Sequence, residues 1–146
     1  MTEAQNTALI QDMYAAFGRG DIATILDHCT EDIVWHGVYG CGPEVPFAGE
    51  RHGKAAVQNF FKQVADSETF QSLETRDFIA TGDMVVCLGH YVVNTHIGKQ
   101  FDCDFAMVFQ LRDGKVTRFQ EFCDNAAISA AHTADAAKTR AAAASA

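Results

Sequence analysis

The chain has 146 residues, 48% hydrophobic and 21% charged, which suits one soluble domain with a core of its own. Its formal charge of -8 opposes binding to nucleic-acid phosphates or to an anionic membrane surface, so a partner is expected to be neutral, cationic or protein. No apolar run nears the roughly 18 residues of a membrane span and no leader pattern opens the chain, so the cytoplasm is the expected location.

Thr2 and Gln5 form a capping box, and Leu9, Ile10, Met13, Tyr14 and Phe17 recur at helical spacing until Gly18, Arg19 and Gly20 interrupt them. Asp21 can cap a second, shorter helix that buries Ile22, Ile25 and Leu26, and residues 32–36 read as a strand. The Gly/Pro-rich stretch 37–53, with Pro43 and Pro46, is either a flap over a site or a plain surface connection. Residues 53–66 form a third amphipathic helix through Ala56, Val57, Phe60, Phe61 and Val64. Four strands follow at 68–80, 84–96, 100–111 and 116–123, joined by turns short enough to demand an antiparallel meander. The fold domain is expected to span residues 1–127, with the Ala-rich tail 128–146 a frayed helix or disordered because it offers little to bury.

The five cysteines are odd in number and widely spaced, which disfavours disulfides and structural zinc. No H-x-H, H-E-x-x-H or acid-rich calcium loop occurs, and neither a phosphate-binding glycine loop nor a G-x-S-x-G elbow is present. No metal and no cofactor are expected.

The stretch 101–124 places acids inside two strongly apolar strands, where an unpaired ionised carboxylate would cost several kcal/mol or have its pKa forced upward. Alternation on the last strand separates Phe119, Glu121 and Cys123 from Arg118, Gln120, Phe122 and Asp124. On the strand before it, Phe101, Cys103, Phe105, Met107, Phe109 and Leu111 oppose the side carrying Asp102 and Asp104. A two-residue Asp113–Gly114 turn would set Ala106 opposite Glu121 and Val108 opposite Phe119 and mix the faces, a poor register. A three-residue loop over Arg112, Asp113 and Gly114, with a bulge beside it, brings Phe105 opposite Glu121 and Met107 opposite Phe119. Glu121 is then the one acid of the hairpin aimed inward. Burial there would tune it to exchange a proton near neutrality; a structural hydrogen bond or a rim position is the alternative.

Helices first and a curved antiparallel sheet afterwards make an α+β chain in which helices cover one sheet face. The order of helix, Gly18-Arg19-Gly20-Asp21, short helix, Thr-Glu-Asp-Ile-Val-Trp-His at 30–36, Gly/Pro loop, Gly-Lys-Ala-Ala-Val-Gln-Asn-Phe-Phe at 53–61, and a final hairpin at 109–124 resembles the SnoaL-like branch of the nuclear-transport-factor-two-like superfamily. The resemblance implies a cone of helices packed in a bent sheet, a pocket at the open end and a homodimer. Its relatives include polyketide cyclases, ketosteroid isomerases, epoxide hydrolases and non-catalytic binders.

The resemblance assigns Glu121 to the acid of an epoxide-hydrolase network, but that network's Arg and Asp would fall on Gly89 and Tyr91. The proton-shuttling Asp of a ketosteroid isomerase would fall on Gly37, next to His36, and that site's tyrosine on Tyr14 or Met13. A SnoaL-like cyclase needs one positioned proton carrier and an apolar mould. Glu121, with His36 as a second base candidate, is the expected acid-base group. Tyr14, Trp35 and Tyr91 would orient a hydrophobic small-molecule substrate, while Phe17, Phe60, Phe105, Met107 and Phe119 shape the cone. The direction of Tyr91 is undecided by alternation, since its strand is apolar on both faces. Phe122, facing outward, is the candidate contact for a second subunit. A non-catalytic binding domain is the other reading of the same cone.

Overall fold

The computed structural model describes residues 1–135. Helix α1 (Glu3–Gly18) starts at the Thr2–Gln5 capping box, and the side chain of Asp21 caps α2 (Ile22–Asp27) through the Thr24 amide. Strand β1 (Cys29–His36) leads through the Gly/Pro-rich segment to a short strand β2 (Glu50–His52), then to α3 (Lys54–Ser67). Strands β3 (Glu68–Thr81), β4 (Met84–Thr95), β5 (Gln100–Arg112) and β6 (Lys115–Phe122) form the expected meander, and α4 (Asn125–Ala131) closes the described chain. No helix among the described residues is long and apolar enough to cross a membrane.

The six strands lie in the order β2-β1-β6-β5-β4-β3. All neighbours are antiparallel except β1 and β6, which run parallel with Trp35 beside Phe119. That pairing and β2 lie outside the sequence reading, because neither a parallel partner 80-odd residues away nor a three-residue strand leaves a periodic signal. One sheet face packs on α1 and α3, which supply Ile10, Met13, Ala16, Val57, Phe60, Phe61 and Val64 to the core. A helix-covered curved sheet is the α+β cone expected.

Two expectations need correcting. The hairpin turn between β5 and β6 has two residues, not three: Arg112 pairs with Lys115, with Asp113 and Gly114 both at positive φ. The bulge lies farther along, where Leu111 pairs with Val116 but Gln110 with Arg118. One extra residue on β6 restores the parity that an unbroken two-residue hairpin would lose, so Met107 faces Glu121 and Phe109 faces Phe119. Glu121 still points inward.

The domain boundary expected at residue 127 falls inside α4. Ile128 and Ala131 are buried, Asp124 caps the helix through the Ala127 amide, and Thr95 Oγ1 donates to the Ala131 carbonyl at 2.8 Å. Lys99 Nζ donates to the carbonyls of Ala130 and Thr133, satisfying acceptors left open at the helix end. Two buried apolar side chains one turn apart and these hydrogen bonds tie the segment to the sheet. The tail expectation for residues 136–146 lies outside the described residues.

Candidate functional site

The inner face of the sheet and the helices enclose a cavity of about 90 Å³, walled largely by aromatic side chains. A wider groove of about 590 Å³ between α1 and the edge strand β3 shares Tyr14, Phe17, Phe70 and Leu73 with it. The cavity alone is well below the ~300–1,000 Å³ that encloses a drug-sized ligand. The groove and the cavity meet at those four side chains.

Glu121 borders this cavity and is 7% exposed. Alternation on β6 puts it inward between Phe119 and Cys123, opposite Met107. The phenol of Tyr91, directed inward from β4, donates to its Oε2 at 3.0 Å. Burial raises the Glu121 pKa from 4.5 to about 7; the Tyr91 and Cys123 hydrogen bonds pull it down, and the charge of Glu68 pushes it up again. A carboxyl with a pKa near neutrality exists in both protonation states at working pH, which general acid-base chemistry requires. Burial also drives the Tyr91 hydroxyl far above the ordinary phenol range, so it remains a donor.

Tyr14, Phe17, Trp35, Phe60, Met107 and Phe119 all line the same cavity. Trp35 stacks on Phe119 with centroids 4.0 Å apart, a contact produced by the parallel pairing of β1 and β6. Its Nε1–H is buried without a hydrogen-bond partner among the described residues. Tyr14 donates to the Met107 sulfur at 2.9 Å, and burial lifts its hydroxyl well beyond its usual range.

Two expected site residues stand elsewhere. His36 follows Trp35 on β1 and therefore turns to the opposite sheet face, where its ring lies 4.1 Å from that of Tyr39. Phe105 is buried but lies behind the wall, stacked on Tyr91 at 5.2 Å. It supports that tyrosine from outside the cavity. Asp102 and Asp104 face outward as expected, around His90, and the Arg76 guanidinium reaches Asp104 at 3.1 Å.

Gly37 and Gly89, where the resemblance would place polar site residues, have a steric reason to remain glycine. A Cβ on Gly37 would come within 2.6 Å of the Phe60 ring. On Gly89 it would meet the Glu74 carbonyl at 2.2 Å and the Phe105 ring at 2.4 Å. Aromatic rings occupy the space that an Asp or an Arg would need. Tyr91, where the resemblance would place the remaining acid, is the hydrogen-bond donor of Glu121.

Sequence reasoning missed Glu68, which also borders the cavity, and His132 behind it. Glu68 is the junction residue between α3 and β3, where neither helical nor strand periodicity predicts a direction. Phe47, another wall residue, was foreshadowed only by the apolar pair Val45 and Phe47 within the Gly/Pro-rich loop; both are buried. Among the described residues, no group of three His, Cys, Asp or Glu side chains is arranged to hold a metal ion.

The sequence model of a family described as SnoaL-like domain matches residues 10–119. No curated protein matches the chain. Among solved structures, an NTF2-like protein from Burkholderia xenovorans LB400 is 27% identical, with 91% of this chain and 99% of that one covered at a TM-score of 0.81. TerC, co-crystallised with polyporic acid, is 30% identical over 88% of this chain and 98% of its own, at a TM-score of 0.77. A Xanthomonas campestris protein provisionally described as a polyketide cyclase is 21% identical, covers 90% of this chain and 98% of its own, and has a TM-score of 0.71. At that identity the likeness concerns the fold alone.

Proposed function

We propose that this chain, which belongs to the SnoaL-like domain family, is a cofactor-independent enzyme that moves a proton on a hydrophobic, carbonyl-bearing small molecule. The observation that carries this reading is Glu121: a carboxyl buried in an aromatic wall, poised near pH 7 and held by Tyr91. Enolising a ketone requires a base near the carbon-bound proton and a donor near the oxygen. Glu121 is the proton carrier, Tyr91 holds its carboxylate form, and the unpaired Trp35 Nε1–H is a donor available to a carbonyl oxygen. Phe17, Phe60, Met107 and Phe119 exclude water, and Tyr14 fixes Met107. The resulting reaction is cyclase-like or isomerase-like. TerC, with its organic-acid ligand, supports a small organic molecule as the occupant.

The test is deuterium uptake from D₂O into a panel of apolar cyclic ketones and diketones, followed by mass spectrometry. Wild type is expected to accelerate exchange for at least one member, and Glu121→Gln to lower that rate at least tenfold. Exchange at the buffer rate across the panel, or an unaffected Glu121→Gln variant, discards the assignment.

A binder without turnover is the second reading, favoured by the small volume of the cavity. It predicts saturable ligand binding with no exchange. Assembly as a homodimer through the outer sheet face is part of the same proposal, since Phe122 remains 45% exposed there. Sedimentation of wild type against Phe122→Ser tests it: an unchanged mass removes that contact.

A further inference from the structure

A second carboxylate in the cavity wall remains without a role, and its surroundings are specific. Glu68 borders the cavity and its side chain is 4% exposed. Behind it stands His132, 5% exposed in its side chain, with Nε2 3.2 Å from Glu68 Oε2. His132 Nδ1 lies 2.9 Å from the Ile128 carbonyl, which can only accept, so Nδ1 carries a proton and Nε2 is the nitrogen offered to Glu68. Phe47 and Phe101 flank the imidazole at centroid distances of 5.6 and 6.1 Å. The pair stands at ion-pair distance among apolar side chains, and with His132 protonated it has no net charge, which permits a second acid in an apolar wall beside Glu121.

Nε2 and Oε2 lie at ion-pair distance, but their alignment is poor for a directed hydrogen bond. The imidazole neutralises Glu68 without tying up its lone pairs. Burial works against the charged imidazole, yet the Glu68 carboxylate and the Ile128 carbonyl outweigh it and hold the His132 pKa above its usual value. The other acid near the ring, Glu44, accepts from Ser129 Oγ at 2.6 Å and from the Gly42 amide at 2.9 Å. Glu44 is thus engaged elsewhere, and Glu68 is the partner that matters.

We infer that Glu68 is a second catalytic proton carrier of this cavity and that His132 is its positioning residue, delivered from outside the sheet by α4. The inference rests on the reading of Glu121 as a proton carrier, but moves it from the carbon to the oxygen side: Glu68 takes the carbon-bound proton and Glu121, beside the Trp35 Nε1–H, serves the carbonyl oxygen. Isomerisation or ring closure needs a base and an acid present together, and two carboxyls in contrasting environments supply them. The Glu68 carboxylate takes a proton from the carbon beside the substrate carbonyl: the C–H bond breaks and an O–H bond forms on Glu68. The freed electron pair becomes the C=C bond of an enol, and the carbonyl oxygen takes the proton of the Glu121 carboxyl, whose anion Tyr91 then holds. Return of the Glu68 proton to a different carbon, with the enol proton going back to Glu121, completes an isomerisation. No oxidant, reductant or co-reactant is required.

The test uses the full-length protein and 5-nitrobenzisoxazole, a carbon acid whose ring opens when a base removes its C3 proton, releasing a coloured phenolate. Wild type at pH 7 is expected to open it faster than an equal concentration of acetate, and Glu68→Gln to lower the rate at least tenfold. Glu121→Gln should lower it several-fold. His132→Gln should shift the acid limb of the rate profile upward while keeping most of the plateau rate, which loss of a merely structural contact would not do. If Glu68→Gln does not fold, the His132→Gln profile decides the question. A folded Glu68→Gln variant at the wild-type rate, or an unmoved His132→Gln profile, overturns the inference alone. A fall with Glu68→Gln but none with Glu121→Gln overturns the Glu121 reading, and with it the idea of a second carrier. Wild type no faster than acetate overturns both.

Discussion

The two faces of the β4–β6 sheet carry acids in opposite circumstances. Outside, Asp102 and Asp104 sit in solvent around His90 and Arg76; the hydrogen bond from His90 and the Arg76 charge hold the Asp104 carboxyl below its usual range. Inside, Glu121 faces an aromatic wall, accepts from the Tyr91 phenol, and has its carboxyl pushed up by burial to about 7. Residues of the same chemical type, one strand apart, are tuned in opposite directions. Solvent access makes the outer cluster a screened surface feature, whereas its exclusion turns the inner acid into a group that exchanges a proton near neutrality.

Removing the wall should have the largest effect on this contrast. Phe119→Ala deletes the ring stacked on Trp35 and is expected to cost about 3–5 kcal/mol, measured by urea unfolding. A smaller loss would mean that the wall collapses to fill the gap.

Changing Glu121 itself should come next. Its folded pKa of about 7 lies above the ordinary 4.5, so the folded protein holds this proton more tightly than the unfolded chain. Its contribution therefore opposes folding increasingly as pH rises from about 4.5 to about 7, and levels off above that. At roughly 1.4 kcal/mol per pH unit, the burden at pH 8 is about 3 kcal/mol. Thermal melts should show Glu121→Gln gaining several degrees over wild type at pH 8 and little at pH 4.5. Equal differences at both values would sink the buried-acid description.

Tyr91→Phe should act more finely. Losing the donor removes stabilisation of the carboxylate, so the Glu121 titration, followed by ¹³C NMR of the labelled carboxyl, should move further upward by about one unit. A downward shift would show that the phenol favours the protonated form. The smallest effect belongs to the outer face: Asp104→Asn should leave the melting temperature at neutral pH within error of wild type, because exposed ion pairs contribute little.

Much of this contrast is legible in the sequence. Period-two alternation separates Asp102 and Asp104 from Phe105 and Met107, and the mismatch of faces in an unbroken hairpin demands one extra residue. The bulge was expected beside a three-residue loop and occurs at Thr117 beyond a two-residue turn, yet both solutions restore parity and turn Glu121 inward. Alternation also carries the information that His36 must face away once Trp35 faces in. The nearness of His36 to Gly37, where the resemblance implies a catalytic acid, points the other way.

By itself the sequence determined the first three helices, the four-strand meander, the α+β order and the inward direction of Glu121, since helix caps, turn residues and strand parity act over a few residues. Tertiary structure alone decided the partners. Tyr91 meets Glu121 across two strand pairings, Trp35 meets Phe119 through a parallel contact, and Glu68 meets His132 only when α4 docks. Those groups are 30 to 84 positions apart, and no local pattern constrains a contact whose cost in chain entropy is repaid only by packing of the whole cone.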